Sequence, residues 1–296
     1  MTVVKLMGGL GNQMFQYAAA RRLAARHKTV LKLDLSFLEG DQSGITPRKF
    51  ELGRLNICAE RASRPEVERL LGQGGGLLAT AATRMLRLAG LKERISFYRE
   101  KQFNFDPAVL ALPDPCYLEG YWQSEKYFAD IRDLLLEEFS LRDPLSGANL
   151  QLAETIQESD AISLHVRRGD YVSDPGAAAF HGTCSPDYYR EAAARLASGL
   201  AAPRFFLFTD DPAWVKQHLK LPFPTTLVEH NGPDQGHEDL RLMSLCKRHV
   251  VANSSLSWWG AWLSVSPGKM VTAPVRWFND PAVNTCDLLP SGWLTL

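Results

Sequence analysis

The sequence contains little cysteine, and the cysteines that it has follow no pattern. Its 296 residues include five of them: Cys58, Cys116, Cys184, Cys246 and Cys286. The absence of a CxxC pair or a Cys/His spacing typical of a metal site excludes a zinc module. Because the set is odd and scattered, it also gives no complete disulfide framework. We therefore expect reduced, mostly buried thiols in a cytoplasmic protein.

Long hydrophobic runs and an excess of one charge are also missing. No run of ~18 apolar residues occurs, which argues against a transmembrane helix, and the first residues lack the pattern of a signal peptide. Lys plus Arg number 33 and Asp plus Glu number 33, so the formal net charge is 0. This balance predicts no nucleic-acid partner, because such surfaces need a basic excess. It still allows a local basic pocket for a small anion.

The hydrophobic content is 45%, which is ample for two ordinary domains. The chain begins with a strand, a glycine-rich turn, a helix and a second strand. These elements are predicted at 3–6 (strand), 13–26 (helix) and 29–33 (strand). Asp, Pro, Ser, Gly and Asn cluster over 141–149, which predicts a linker there. The predicted domains are therefore 1–145 and 146–296.

The rest of the chain alternates between short strands and helices. In the middle we predict helices at 65–71, 83–91 and 124–138, a glycine loop at 72–76 and a strand at 116–119. In the second half we predict strands at 161–166, 204–208, 225–228, 249–252 and 269–273, and helices at 186–199, 212–219, 238–247 and 255–265. This alternation predicts an α/β fold with a parallel sheet covered on both faces. Such sheets bind ligands at the carboxyl ends of their strands.

The first candidate site follows one of these strands, where residues 165–171 read HVRRGDY. Alternation along the strand places His165 and Arg167 on one face, while Arg168 points the other way. An imidazole beside a guanidinium is costly to bury without an anion, and a guanidinium fork matches phosphate oxygens. A diphosphate would fit there. The alternative is a surface patch of structural ion pairs, such as Arg168 with Asp170.

The second candidate site is the segment NSSLSWWGAW at 253–262, directly after a predicted strand. Asn and Ser are preferred helix N-caps, and a helix start offers N–H groups and a positive dipole end to phosphate. Asn253, Ser254 and Ser255 are thus candidate phosphate ligands, with a plain helix cap as the alternative. We expect core packing for at least two of the three tryptophans.

A glycine turn at 8–12 is the third candidate, because glycines let the backbone approach a ligand closely. The pattern is Gly9-x-Gly11-x-x-Met14, so the third glycine of a dinucleotide-binding fingerprint is missing. A nicotinamide-dependent dehydrogenase is therefore disfavoured.

Two adjacent aspartates, Asp210 and Asp211, end another predicted strand. They could hold a divalent metal that bridges a nucleotide-sugar diphosphate. They could instead bind a ribose or base, or cap the helix that starts at Pro212. With Arg167 available to neutralise phosphates, a metal is unnecessary.

Three motifs together resemble the α-1,2-fucosyltransferases. MGGLGNQMFQYA at 7–18 looks like the N-terminal motif of that family, and HVRRGDYV at 165–172 resembles a motif shared with α-1,6- and protein O-fucosyltransferases. NSSLSWWGAWL at 253–263 resembles the α-1,2 branch specifically. The motifs occur in the family's order and cover nearly the whole chain. The short length resembles the bacterial members.

The resemblance implies a GT-B-type fold, with two Rossmann-like domains that face each other across a cleft. It implies GDP-fucose on the C-terminal domain and a galactose-terminated glycan acceptor held largely by the N-terminal one. It implies transfer with inversion, from β in GDP-fucose to α in the product, and no required metal or other cofactor. A lipid-linked acceptor would bring the protein to a membrane surface.

The resemblance also assigns residue roles. Arg167 matches the arginine that contacts the donor's β-phosphate, and its charge would stabilise the leaving GDP. His165 matches a position that helps to hold the guanosine portion. Asn12, with the Gly9 and Gly11 backbone, would approach the diphosphate from the opposite domain. The remaining donor contacts would come from Asp210, Asp211, Asn253, Ser254 and Ser255.

The general base stays open at this point. An inverting displacement usually needs a carboxylate or histidine near the acceptor hydroxyl, and the glutamate proposed for the α-1,6 relatives has no counterpart at 172–176. The candidates are Asp170, Asp174, His181 and Glu238. A loose, oxocarbenium-like transition state would lessen the need for a base. Two alternatives to fucosyl transfer remain, a transferase for another nucleotide sugar and a non-catalytic GDP-sugar or glycan-binding module.

Overall fold

A computed structural model describes residues 1–44, 46–72 and 96–296 of the chain. The chain divides into two compact units, Met1–Phe139 and Ser140–Leu296, which we call the N-terminal and C-terminal units. Each has its own sheet of parallel strands. The helix predicted at 83–91 and residues 73–76 of the predicted glycine loop lie outside the described residues.

The N-terminal unit contains a five-stranded parallel sheet in the order β3-β2-β1-β5-β4. Its strands are β1 (Thr2–Lys5), β2 (Leu31–Asp34), β3 (Glu60–Arg61), β4 (Ser96–Arg99) and β5 (Cys116–Glu119). Its described α-helices are α1 (Leu10–His27), α2 (Ser36–Glu39), α3 (Arg64–Leu70) and α4 (Arg132–Glu138). The strand order reverses between β1 and β5, so the carboxyl ends of these two strands form a switch point.

Helix α1 begins earlier than the sequence predicted, at Leu10 rather than residue 13. Gly9 is the N-cap residue, so Gly11 and Asn12 belong to the first helical turn. The helix ends at Lys28, which adopts the left-handed conformation with φ 52° and bonds back to the carbonyls of the last turn. Most of the helix is buried, including Leu10 and Gly11 at its start. Its first turn is therefore fixed near the switch point.

The helix predicted at 124–138 is wrong over its first half. The structure has two short 3-10 turns there, Glu125–Tyr127 and Ala129–Ile131, before α4 begins. Phe128 between them has φ −148° and is fully buried. Packing of Tyr127 and Phe128 into the core therefore outweighs the helical periodicity of the segment.

A buried ionic network ties α4 to α1. Glu138 accepts hydrogen bonds from the Tyr17 hydroxyl at 2.6 Å and from Arg21 Nη2 at 2.8 Å and Nε at 2.9 Å. The backbone N–H of Cys58 donates to the same Tyr17 hydroxyl at 2.9 Å. Burial and the Glu138 hydrogen bond both raise the pKa of Tyr17. Glu138 thus holds three otherwise distant segments together.

We expect Glu138→Ala to lower the free energy of unfolding by about 2–4 kcal/mol, because it leaves the half-buried Arg21 and the buried Tyr17 hydroxyl without their carboxylate partner. Urea unfolding followed by circular dichroism measures this. Glu137→Ala is the matched control, since its side chain is exposed on the same helix, and we expect a loss below about 0.5 kcal/mol there. Equal losses in the two variants would contradict the role of the network.

The C-terminal unit contains a six-stranded parallel sheet in the order β11-β10-β9-β6-β7-β8. Its strands are β6 (Asp160–Val166), β7 (Pro203–Thr209), β8 (Thr225–Val228), β9 (Arg248–Val250), β10 (Met270–Ala273) and β11 (Leu294–Thr295). Its α-helices are α5 (Gly147–Gln157), α6 (Gly169–Ser173), α7 (Pro175–His181), α8 (Pro186–Ala197), α9 (Pro212–His218), α10 (Gly236–Leu245) and α11 (Ser255–Leu263). This is the Rossmann strand order, and it reverses between β6 and β9.

Two apolar cores cover the two faces of this sheet. One packs Leu164, Phe205 and Leu207 under α8 and α9, and the other packs Phe206 and Phe208 under α5 and α10. The three tryptophans of α11 are buried, with exposures of 0%, 0% and 2%, so the prediction of core packing is confirmed. The carboxyl ends of β6, β7 and β9 are left to carry polar groups.

Several smaller predictions are corrected by the structure. Helix α5 begins at Gly147, inside the segment predicted as a linker. Two short helices were not predicted: α6 begins inside the HVRRGDY segment, at Gly169, and α7 follows it. The thiols are not mostly buried: Cys58 and Cys286 are exposed, Cys184 is partly buried, and Cys116 and Cys246 are buried. Within the described ranges, no helix has the length and apolar content needed to cross a membrane.

Candidate functional site

Arg167 lies just beyond β6, at the switch point of the C-terminal unit, between two carboxylates. Its Nη2 is 2.6 Å from Asp170 Oδ1, and its Nη1 is 2.7 Å from Asp210 Oδ2. Burial opposes its charge, but Asp210 and Asp170 outweigh this and raise the pKa of Arg167. The side chain keeps 23% exposure, so a permanently charged fork is held still while part of it stays open to solvent.

Asp210 holds the loop that carries Arg167. Its Oδ1 accepts the backbone N–H of Arg168 at 2.8 Å, and its Oδ2 faces Arg167. A Cβ on Gly169 would lie 2.6 Å from that Oδ2, so only glycine fits beside the carboxylate. The structure thus uses Asp210 to position Arg167, and its role as a direct donor ligand stays a prediction.

Asp211 caps α9, as one of the sequence alternatives had it. Its Oδ1 accepts the backbone N–H of Trp214 at 3.0 Å, and its Oδ2 lies 3.2 Å from Arg168 Nε. The alternative interpretation offered an ion pair of Arg168 with Asp170, whereas the structure pairs Arg168 with Asp211 and Asp170 with Arg167. Arg168 also lies 4.1 Å from the Trp214 ring centroid. In the described part of the chain, no group of three or more His, Cys, Asp or Glu side chains could hold a metal ion.

His165 is 5% exposed near the end of β6, on the same strand face as Ser163. Burial lowers its pKa to about 4, with nearby Asp210 opposing and Arg167 adding to this shift. His249 on β9 is 1% exposed and lies 2.8 Å from Ser163 Oγ through Nδ1. Burial lowers its pKa to about 3. Both imidazoles are therefore neutral at pH 7, and the positive charge at this strand end belongs to the arginines.

The two depressed histidine pKa values make stability depend on pH. Below about pH 6.5 the unfolded chain takes up protons that the folded chain refuses, so stability falls as pH falls toward 4. We expect up to about 1.4 kcal/mol of lost unfolding free energy per pH unit for each histidine. His249→Asn should lower the slope of the unfolding free energy against pH, measured between pH 6 and 5, by the contribution of one histidine. Urea unfolding at pH 7, 6 and 5 measures it.

The exposed His218 supplies the control for this comparison. His218→Asn should leave the slope of the unfolding free energy against pH as it is in the wild type. If His249→Asn and His218→Asn change that slope equally, burial of His249 is not its cause.

Asn253, a predicted phosphate ligand before α11, has a side chain that is bonded to backbone carbonyls of the protein. This side chain is 2% exposed, and its Nδ2 donates to the carbonyls of His181, Gly182 and Trp277 at 3.0, 3.2 and 3.2 Å. Its amide thus fastens three loops together. Ser254 is the N-cap residue, but its side chain makes no capping hydrogen bond. The roles of Asn253, Ser254 and Ser255 as phosphate ligands stay predictions.

An aromatic stack next to Arg167 was not predicted. The Arg167 guanidinium lies 5.3 Å from the Tyr171 ring centroid, and the Tyr171 and His181 rings stack at 4.2 Å and 4°. The stack borders a pocket of about 240 Å³, whose lining includes His181, Cys184, Arg276 and Asn279. The signals in the sequence were Tyr171, inside the HVRRGDYV motif, and His181, ten residues later. The short helices α6 and α7 bring the two rings together.

A second polar cluster of the C-terminal unit was also missed. Asn231 Nδ2 donates to Asp239 Oδ1 at 2.8 Å, and Asn149 Oδ1 contacts Asn231 Nδ2 at 3.1 Å and His230 Nε2 at 2.7 Å. Burial, with a smaller contribution from Glu238, raises the pKa of Asp239 to about 6. A buried carboxylate of this kind is typical of functional sites. Sequence spacing gave no sign of it.

The candidate general bases all have protein partners. Asp170 pairs with Arg167, Asp174 caps α7 by accepting the backbone N–H of Gly176 at 2.8 Å, and Glu238 accepts from Arg241 Nε at 3.1 Å. His181 stacks on Tyr171. Among these, Asp170 alone is paired with the group predicted to bind the donor.

In the N-terminal unit, the glycine turn is shaped around Asn12. Gly8 has φ +74°, and a Cβ there would lie 2.5 Å from Asn12 Nδ2. At the first turn of α1, the backbone N–H of Leu10 donates to Glu51 Oε2 at 2.9 Å. Asn12 Oδ1 accepts from Gln123 Nε2 at 2.8 Å. The contacts of Glu51 and Gln123 could not be predicted from the sequence, because 41 and 111 residues separate them from their partners.

Comparison with known proteins decides the family. The model of glycosyl transferase family 11 matches residues 95–296. The chain belongs to glycosyl transferase family 11. This family 11 glycosyltransferase is 31% identical to an α-1,2-colitosyltransferase of Escherichia coli, over 99% of this chain and 98% of that enzyme. It is 26% identical to the galactoside 2-alpha-L-fucosyltransferase Sec1 of Mus musculus, over 49% of this chain and 41% of that relative.

A solved structure supports the fold of the family 11 enzyme. A mutant of Arabidopsis thaliana FUT1 in complex with GDP has a TM-score of 0.50 at 10% identity, covering 91% of this chain and 69% of that one. Together with the two parallel Rossmann-like sheets, this likeness gives a GT-B-type fold. The family resemblance and the fold class expected from the sequence are both confirmed.

Proposed function

We propose that this glycosyltransferase moves L-fucose from GDP-β-L-fucose to the 2-hydroxyl of a terminal galactoside, with inversion to an α-1,2 linkage. The observation that carries the proposal is Arg167, a fixed and partly open guanidinium fork at the carboxyl end of β6. Its HVRRGDYV motif and the NSSLSWWGAWL motif resemble the α-1,2-fucosyltransferases. The α-1,2-colitosyltransferase and galactoside 2-alpha-L-fucosyltransferase relatives support the same linkage.

The chemistry follows from where charge develops. The bond between the anomeric carbon and the β-phosphate oxygen breaks, and its electron pair leaves with GDP. Arg167 stabilises that charge without moving, because Asp210 already holds the guanidinium in place. In the proposed site, His165, Ser254 and Ser255 lie on the donor side, while Asn12 and the Gly9 and Gly11 backbone complete the donor contacts.

The acceptor oxygen forms the new bond on the opposite face of the sugar, and its proton must leave. Asp170 is the base that we propose. Its carboxylate engages Arg167, and a diphosphate oxygen at Arg167 would compete with it for the same fork. Donor binding would therefore release Asp170 to accept a proton.

No metal is needed in this scheme, because Arg167 supplies the positive charge. Transfer should persist in EDTA at the wild-type rate. Restoration of lost activity by Mg²⁺ or Mn²⁺ would argue against this part of the proposal.

Incubation with GDP-fucose and galactose-terminated oligosaccharides tests the function. We expect a fucosylated product whose NMR spectrum shows an α-1,2 linkage to galactose. A linkage to another hydroxyl would refute the assigned regiochemistry, and transfer from UDP-sugars but not GDP-fucose would refute the donor.

A second candidate donor is favoured by one observation, the α-1,2-colitosyltransferase among the relatives. Colitose is L-fucose without the 3-hydroxyl, so the two donors differ at a single position. Initial rates with GDP-fucose and GDP-colitose at equal concentrations separate them. We expect GDP-fucose to be faster, and a preference for GDP-colitose would reassign the donor.

We propose the cytoplasm as the site of action, because free thiols such as the exposed Cys58 and Cys286 persist in a reducing compartment. A lipid-linked acceptor would bring the enzyme to a membrane surface. Co-sedimentation with vesicles should then depend on the presence of that acceptor.

A further inference from the structure

At the switch point of the N-terminal unit, Gln123 meets Asn12. Gln123 follows β5, Asn12 follows β1, and these strands are neighbours in the sheet. Gln123 Nε2 donates to Asn12 Oδ1 at 2.8 Å, and Gln123 is 7% exposed. In this pair the Gln123 amide donates and the Asn12 side-chain oxygen accepts.

This contact decides which end of the Asn12 amide faces a ligand. Because Oδ1 already accepts from Gln123, the group left to act outward is Nδ2, a hydrogen-bond donor. Nδ2 also packs over Gly8, where a Cβ would lie 2.5 Å away. Asn12 is thus fixed in position by Gly8 and in polarity by Gln123.

The loop that presents Gln123 is held in a strained conformation. The preceding residue, Trp122, is fully buried and has φ 57°, a region that bulky side chains rarely adopt. Glu100 fixes it, since its Oε2 accepts the N–H of Tyr121 at 2.7 Å and its Oε1 that of Trp122 at 3.0 Å. Gly120 leaves no room for a side chain, because a Cβ there would lie 2.4 Å from Glu100 Cβ.

Strain of this kind persists only where the surroundings enforce it, and it concentrates at functional sites. Here its effect is local and specific: it turns the chain after β5 so that Gln123 reaches Asn12.

We propose that Gln123 is a positioning residue that sets Asn12 Nδ2 as a hydrogen-bond donor to a diphosphate oxygen of GDP-fucose. The proposal rests on the proposed function, because it takes GDP-fucose as the donor. Gln123 touches Asn12 and acts on the substrate only through it.

A double-mutant cycle of Asn12→Ala, Gln123→Leu and the combination tests the proposal. With Asn12 present, Gln123→Leu should lower kcat/KM for GDP-fucose by roughly 10–100-fold, the size expected for one lost hydrogen bond to a charged group. In the Asn12→Ala background the same change should cost less than about 2-fold, because the residue through which Gln123 acts is gone. Equal losses of kcat/KM in both backgrounds would overturn the proposal. So would the absence of any loss from Gln123→Leu when Asn12 is present.

Gln102→Leu is the control, since Gln102 is exposed after β4 and contacts neither residue. Thermal unfolding checks that each variant folds. If Gln123→Leu does not fold, Gln123→Glu takes its place, because a carboxylate forces the Asn12 amide to turn its donor inward and predicts the same pattern. If the wild type transfers no fucose, the proposed function fails by itself. The cycle is then measured on GDP affinity by calorimetry, where independence of the two effects would overturn the positioning role.

Discussion

Arg167→Ala should lower turnover by roughly 10²–10³-fold, the loss seen when one preorganised charge-stabilising contact is removed. Asp210 holds the side chain at 2.7 Å, so Arg167 meets the developing charge of the leaving diphosphate in place even after a diphosphate oxygen displaces Asp170 from the fork. The effect should fall on kcat, because that charge is largest in the transition state. Steady-state rates with GDP-fucose at saturating acceptor measure it.

Arg167→Lys separates charge from geometry. A lysine keeps the positive charge but loses the fork that can engage Asp210 and a phosphate oxygen together, so we expect only weak recovery over the alanine variant. Arg190→Ala is the matched control, because Arg190 also pairs with an aspartate, Asp187, but on the surface of α8. Near-wild-type turnover in Arg167→Ala would remove Arg167 from the mechanism.

Asp210→Ala should combine a loss of activity with a loss of stability. It deprives Arg167 of one carboxylate and leaves the Arg168 N–H without its acceptor. We expect turnover to fall roughly 10–100-fold, because Arg167 is no longer fixed, and the unfolding free energy to fall by about 2–4 kcal/mol. Kinetics and urea unfolding on the same preparations measure both.

The control for this variant lies on the neighbouring strand, at its opposite end. Asp160 pairs with Lys247 at 3.1 Å at the start of β6, and Asp160→Ala should cost less than about 1 kcal/mol and leave turnover unchanged. If Asp210→Ala destabilises the chain but turns over at the wild-type rate, Asp210 is only a structural clamp and does not position Arg167 for catalysis.

The sequence predicted a donor site at the carboxyl end of β6 because strand periodicity and motif order are local signals. Alternation along β6 placed His165 and Arg167 on one face, and the rule that ligands bind at carboxyl strand ends selected the edge at which Arg167 and Asp210 lie. The partners of the arginines could not be predicted: Arg168 pairs with Asp211, whereas Asp170 pairs with Arg167. Asp210 and Asp211, one residue apart, serve different purposes.

Contacts between residues distant in the chain were beyond prediction. Gln123 and Asn12 meet only because β1 and β5 are neighbours in the sheet, which no spacing reveals. The same holds for Glu138 with Arg21. The helix predicted at 124–138 was wrong over its first half for another reason, because the burial of Phe128 outweighs the helical periodicity there. Backbone strain such as that of Trp122 likewise depends on tertiary contacts.

The most direct test of the central claim is the product of wild-type enzyme, GDP-fucose and a galactose-terminated oligosaccharide, analysed by NMR. The account predicts a single new fucose in α linkage to the 2-hydroxyl of galactose, and almost none of it from the Arg167→Ala variant. Absence of any fucosylated product across a broad panel of galactoside acceptors, or equal product from Arg167→Ala, would contradict it.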